Sequence, residues 1–90
     1  MSGQRYAIEF TPAAARDFRA LPKEIQRRLR PRIDALALNP RPTGLTMLKG
    51  GDGFLRIRIG DHRVIYLVEE RRVVVLVVRI GHRREVYRNL

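Results

Sequence analysis

The sequence predicts an α+β fold in the order β-α-α-β-β-β, with two N-terminal helices packed on one face of a mostly antiparallel sheet. Three observations predict it. Apolar side chains recur at helical spacing between residues 13 and 38, and apolar and charged residues alternate at strand spacing between 54 and 59. Val73-Val74-Val75-Leu76-Val77-Val78 is an unbroken apolar run of the kind found in the middle of a sheet. Helices followed by a block of strands segregate to one side of the sheet. Ninety residues make one domain, spanning 1–90, with a single core.

Each element has its own local reason. Tyr6-Ala7-Ile8-Glu9-Phe10 alternates and is rich in strand formers, so it reads as a short first strand. Thr11-Pro12 has the form of an N-cap followed by proline at the first helical position, opening a helix over Ala13 to Ala20 with Ala14, Phe18 and Leu21 on one face. Leu21-Pro22 breaks that helix and starts a second, from about Pro22 to Leu38, whose stripe is Ile25, Leu29, Ile33 and Leu36. Pro31 lies within it, on the side away from the stripe, so one bent helix is expected in preference to two short ones. Residues 39–44 end the helix. Leu45 to Lys49 is expected to be a loop that lays Leu45 and Leu48 on the core, and 50–53 a glycine-rich turn.

Phe54 to Ile59 is then a strand with Leu55, Ile57 and Ile59 on one face and Arg56 and Arg58 on the other. Gly60-Asp61 is a two-residue hairpin turn that pairs Ile59 with His62, Arg58 with Arg63 and Ile57 with Val64. Arg58 and Arg63 therefore face each other, with Arg56 further along the same side. Like charges directly opposed across strands are destabilising, so this row calls for an anion. Arg63 to Glu69 is the next strand, Glu70-Arg71 the turn, and Val73 to Ile80 the last strand, followed by a polar tail.

Composition narrows the function. Nineteen Lys and Arg against nine Asp and Glu give a net charge of +10, a field suited to polyanions or an acidic partner. All the cations but Lys23 and Lys49 are arginine, the side chain that grips phosphate through two hydrogen bonds. The chain has no cysteine, which excludes a disulfide framework and a cysteine zinc site and fits a reducing, cytoplasmic setting. No apolar window is long enough for a membrane helix, and the N-terminal residues have no apolar stretch of signal-peptide type behind them. His62 and His82, on separate strands with no carboxylate cluster, predict no metal site.

Two segments carry a family resemblance. Arg58-Ile59-Gly60-Asp61-His62-Arg63-Val64-Ile65-Tyr66 and, after the valine run, Gly81-His82-Arg83-Arg84-Glu85-Val86-Tyr87 resemble the RelE/ParE toxins of type II toxin–antitoxin systems, most of all the RelE branch. Leu21-Pro22-Lys23-Glu24-Ile25 and Leu48-Lys49-Gly50 extend the likeness over nearly the whole chain. The resemblance implies a compact sheet with two helices on it and an acidic antitoxin that wraps and neutralises the toxin in a hetero-oligomer. It also implies cleavage of mRNA on the ribosome without metal or other cofactor.

Residue by residue, the resemblance places Arg63 on a catalytic arginine, Arg83 on the arginine after the last strand and Tyr87 on a tyrosine near the C-terminus. Arg56 and Arg58 stand where relatives often carry lysines, and Arg84 and Lys49 join them as phosphate contacts. An arginine cannot serve as a neutral amine, so these positions supply charge only. Tyr87 is the leading proton-transfer candidate, since nearby guanidinium groups favour the phenolate, and it can alternatively stack on a base. His82 is the second candidate, by virtue of an imidazole. The competing functions are a gyrase-inhibiting toxin of the ParE branch and a toxin-like binding module without catalysis. Tyr66 shares the face of Val64 and is expected in the core.

Overall fold

The computed structural model describes residues 5–48, 50 and 52–82. β1 (Ala7–Phe10) leads into α1 (Pro12–Ala20) and α2 (Lys23–Ala35), followed by β2 (Thr46–Met47), β3 (Leu55–Ile59), β4 (His62–Glu69) and β5 (Val74–His82). The strands form one sheet in the order β1-β5-β4-β3-β2, antiparallel except where β1 runs parallel to β5. The predicted α+β class holds, with one strand more than expected. Thr46 and Met47, read as loop, pair with Arg56 and Leu55 at the sheet edge. Two residues are too few to show a period of two in the sequence.

The helices form where the sequence places them. Thr11 caps α1: its Oγ1 accepts from Ala14 N at 3.0 Å, and proline follows at the first turn. Gln26 reaches back from α2 to donate to the Leu21 carbonyl at 2.9 Å, tying the two helices at their junction. α2 continues through Pro31 as one helix, its proline exposed and Leu29 and Ile33 fully buried. With Leu36 they pack on Leu55, Ile57, Ile59, Val64, Tyr66, Val75, Val77 and Ile80, the helix side of the sheet. Tyr66 is in the core as expected, with its hydroxyl donating to the Pro40 carbonyl at 2.7 Å. Burial pushes that phenol up to about 12.

β5 explains the valine run that does not alternate. The register steps from Tyr66↔Val77 to Ile65↔Arg79, leaving Val78 as an extra residue. Before this bulge Val75 and Val77 face the helices; after it Ile80 does. Thr11 pins the bulge, its hydroxyl donating to the Val78 carbonyl at 2.9 Å. Val73, expected to begin the strand, lies instead in the preceding turn at φ 55, a left-handed conformation unusual for a β-branched residue. Ion pairs hold that turn in place. Arg72 spans Glu9 at 3.2 Å and Glu69 at 3.1 Å, and Glu70 accepts from Arg41 at 2.9 Å and from the Tyr6 hydroxyl at 2.6 Å.

Pro31 removes the amide that would bond the Arg27 carbonyl, so α2 forms in spite of it. Pro31→Ala restores that bond on an exposed surface. It should raise the unfolding free energy by about 1–3 kcal/mol, read from urea denaturation. An unchanged midpoint would show that the helix bears no penalty at this position.

Candidate nucleic-acid interface

The side of the sheet away from the helices carries the arginines. Gly60 is left-handed at φ 62 and Asp61 is not, the pattern of a hairpin turn that begins with glycine. The turn sets the register read from the sequence: Ile57↔Val64, Arg58↔Arg63 and Ile59↔His62. Extended across β5, two cross-strand rows result, Arg58–Arg63–Gly81 and Arg56–Ile65–Arg79. Opposed residues share a face, so four arginines surround the buried Ile65. Gly81, the partner of Arg63 on β5, adds no side chain to that end of the row.

The arginines are held differently. Arg79 is bound by α1: its Nε donates to Asp17 at 2.8 Å and its Nη2 at 3.2 Å. The same carboxylate accepts from Ile80 N at 2.9 Å. β1 ends at Phe10, opposite Val77, so Thr11 and Asp17 take over as side-chain partners for the edge of β5 beyond it. The bond to Asp17 raises the Arg79 guanidinium further above its ordinary value. Arg56 donates to the neutral Thr46 hydroxyl at 3.0 Å, and the exposed Arg58 to the Gly60 carbonyl at 3.3 Å. These bonds are to neutral groups and orient the two side chains.

Charge is divided along the sheet. At the end bearing the 70–73 turn, Glu9, Glu69 and Glu70 are each paired with arginine. The end bearing the Gly60-Asp61 turn gathers Arg58 and Arg63, and beneath them His62, His82 and Arg28 of α2. Asp61 is the carboxylate of the turn itself.

Of the site residues expected from sequence, Arg56, Arg58 and Arg63 are brought together on one face. His82 is placed elsewhere: its register partner is His62, and both share the helix-side face with Ile59. The two rings meet edge to face with centroids 5.2 Å apart. Burial pushes the His62 imidazole below its ordinary value, with His82 and Arg28 acting the same way and Asp61 opposing them. Arg83, Arg84, Tyr87 and Lys49 lie outside the described residues. Sequence reasoning missed Asp17 and the His62–His82 contact. Both depend on the β4–β5 register, which no sequence period reveals across a bulge.

The helix-backed sheet with an arginine face is the architecture of a small toxin of type II toxin–antitoxin systems. Residues 8–87 match the family described as ParE toxin of type II toxin-antitoxin system, and the chain belongs to that family, within the RelE/ParE superfamily. It is 28% identical over 88 residues to the putative toxin RelE1 of Methanocaldococcus jannaschii, covering 94% of this chain and 98% of that protein. It is equally 28% identical over 92 residues to toxin RelG of Mycobacterium tuberculosis, covering 92% and 97%. Among solved structures, a chain of the M. tuberculosis toxin–antitoxin complex RelBE2 matches with TM-score 0.78 at 26% identity, over 89% of this chain and 93% of that one. The isolated E. coli RelE toxin matches with TM-score 0.77 at 26% identity, over 91% and 90%.

Asp17 holds the strand end that borders the arginine face. Asp17→Ala strands a half-buried guanidinium and the Ile80 amide, and should cost about 2–4 kcal/mol in urea unfolding. Asp17→Asn keeps an oxygen for Ile80 N and should cost clearly less. Equal losses in the two variants would refute the bond to the strand edge.

Proposed function

We propose that this chain is a ribosome-dependent mRNA endoribonuclease held inactive by a cognate acidic antitoxin. The single observation that carries the reading is the direct opposition of Arg58 and Arg63 on the helix-free face. Cleavage by the neighbouring 2′-hydroxyl forms a bond from that oxygen to phosphorus and breaks the bond to the 5′-oxygen. The 2′-hydroxyl gives up its proton, the leaving oxygen takes one, and negative charge builds on the phosphoryl oxygens between. Guanidinium groups can grip a phosphate through two hydrogen bonds and stabilise that charge. In this reading Arg63 and Arg83 stabilise the transition state, and Arg56, Arg58, Arg84 and Lys49 hold the backbone. Tyr87 is the proton-transfer group ahead of His82, because strand alternation puts His82 on the other side of the sheet from Arg58 and Arg63.

The antitoxin reading rests on charge and on relatives. A +10 chain attracts an acidic partner, and solved neighbours include the RelE–RelB complex of Pyrococcus horikoshii, matched with TM-score 0.76 at 27% identity. A second reading, inhibition of DNA gyrase, is favoured by the ParE description of the matching family.

Purified chain added to a translating extract should cut mRNA on ribosomes, mapped by primer extension, and leave gyrase supercoiling untouched. Arg63→Ala should lower the cleavage rate by about 100-fold or more, and Arg58→Ala by a smaller factor, with the fold retained by circular dichroism. Intact mRNA together with blocked supercoiling would replace the nuclease with the gyrase inhibitor. Antitoxin association should weaken steeply as salt rises past about 0.15 M, since exposed charges are then screened beyond roughly 8 Å. Calorimetry at two ionic strengths checks this, and equal affinities would argue against a charge-driven interface.

A further inference from the structure

We propose that His62 and His82 form a two-imidazole site for a borderline transition-metal dication of the Cu²⁺, Ni²⁺ and Zn²⁺ class, on the helix-side face where β4 meets β5. The two residues are direct partners in the antiparallel ladder, so their side chains leave the same face side by side. Their ring centroids are 5.2 Å apart, with ring planes at 83°. Two imidazole nitrogens bound to one ion at about 2.0–2.1 Å, near the tetrahedral angle, also put their ring centroids roughly 5 Å apart. Chelation therefore requires side-chain rotation and no movement of the strands.

The surroundings set the character of the site. His62 is partly buried and His82 exposed, which gives one fixed ligand and one open approach. Among the described residues no third histidine or carboxylate joins them to make a group of three, so the described protein supplies two ligands. Arg28 reaches the Gly60 turn from α2 and opposes a dication, while Asp61 in the turn attracts it. The balance favours modest affinity in the order of ligand-field strength, with Cu²⁺ the tightest. The site is separate from the arginine face: Arg58 and Arg63 project from the opposite side of the sheet. A bound ion would fasten β4 to β5 at the end bearing the Gly60-Asp61 turn.

The test uses the full chain without a purification tag, titrated with CuCl₂, NiCl₂ and ZnCl₂ in a non-chelating buffer. One dication per chain should bind, with Cu²⁺ tightest. His62→Gln and His82→Gln should each weaken binding at least about tenfold. Saturating Ni²⁺ should raise the melting temperature of the unmodified chain clearly more than that of either variant, since an ion that binds only the folded state stabilises it according to its affinity. Electron paramagnetic resonance of the Cu²⁺ form of the unmodified chain should show two coordinated imidazoles, and this readout does not depend on a variant folding. A spectrum with one imidazole or none, affinity unchanged in the His62→Gln/His82→Gln double variant, or no binding at millimolar metal would each overturn the site.

Discussion

The geometry of the candidate site depends on the two-residue turn at Gly60-Asp61. A hairpin closed by two residues has one register, and a shift of a single residue would move every side chain of β4 to the other face. Here the register is over-determined. Ile57 and Val64 must share the core with Leu29 and Ile33, so Arg58 and Arg63 have no choice but to oppose each other outside it. The like-charge repulsion is a consequence of a pairing stabilised elsewhere, by burial on the helix side. Burying a large aliphatic side chain is worth about 1.5–3 kcal/mol, more than a solvated pair of like charges costs across strands. The core thus sets two arginines directly opposite each other across β3 and β4, and in the proposed function an anion bound between them would relieve the repulsion.

β5 has the opposite problem. It must satisfy β4 along its whole length but has β1 beside it only as far as Val77. An edge of exposed amides invites unwanted pairing. α1 answers this by starting where β1 stops: Thr11 bonds the Val78 carbonyl, and Asp17 bonds the Ile80 amide and Arg79 together. The helix is thereby fixed to the sheet by polar contacts as well as by Ala14 and Phe18 packing against the core. Arg79, on the same face as Arg56 and Ile65, spends its charge within the fold on Asp17.

The legible parts of this structure were those governed by a short period or a short turn. The stripe Ile25–Leu29–Ile33–Leu36, the cap at Thr11 and the Arg58–Arg63 opposition could be read directly, because each depends on neighbours within a few residues. The continuity of α2 through Pro31 was readable for a similar reason: the proline falls on the exposed side, where its ring meets no packing partner. Less could be read where pairing is long-range. The parity change at Val78 is invisible in a run of valines, since every residue in it suits either face. Without that change the partners of Arg79, Gly81 and His82 could not be assigned, so neither the Asp17 contact nor the meeting of His62 with His82 was foreseeable. Thr46–Met47 was missed because its strand character comes from β3 beside it and not from its own sequence.

The division between faces bears on chemistry. In the proposed cleavage, charge stabilisation and proton transfer act on the same phosphate, one on its non-bridging oxygens and one on the oxygens that attack and leave. Arg58 and Arg63 project from one side of the sheet and the imidazoles of His62 and His82 from the other, with the backbone of β3, β4 and β5 between them. A strand can present a residue to only one side, so the alternation that aligns the arginines puts both histidines on the far side of the sheet from the phosphate of the proposed reaction. In the proposed function, proton transfer on the arginine face then falls to a group whose pKa a guanidinium field moves in the useful direction. A phenol fits that requirement, because neighbouring positive charge favours its ionised form, whereas the same field discourages an imidazole from taking up the proton it would need to accept.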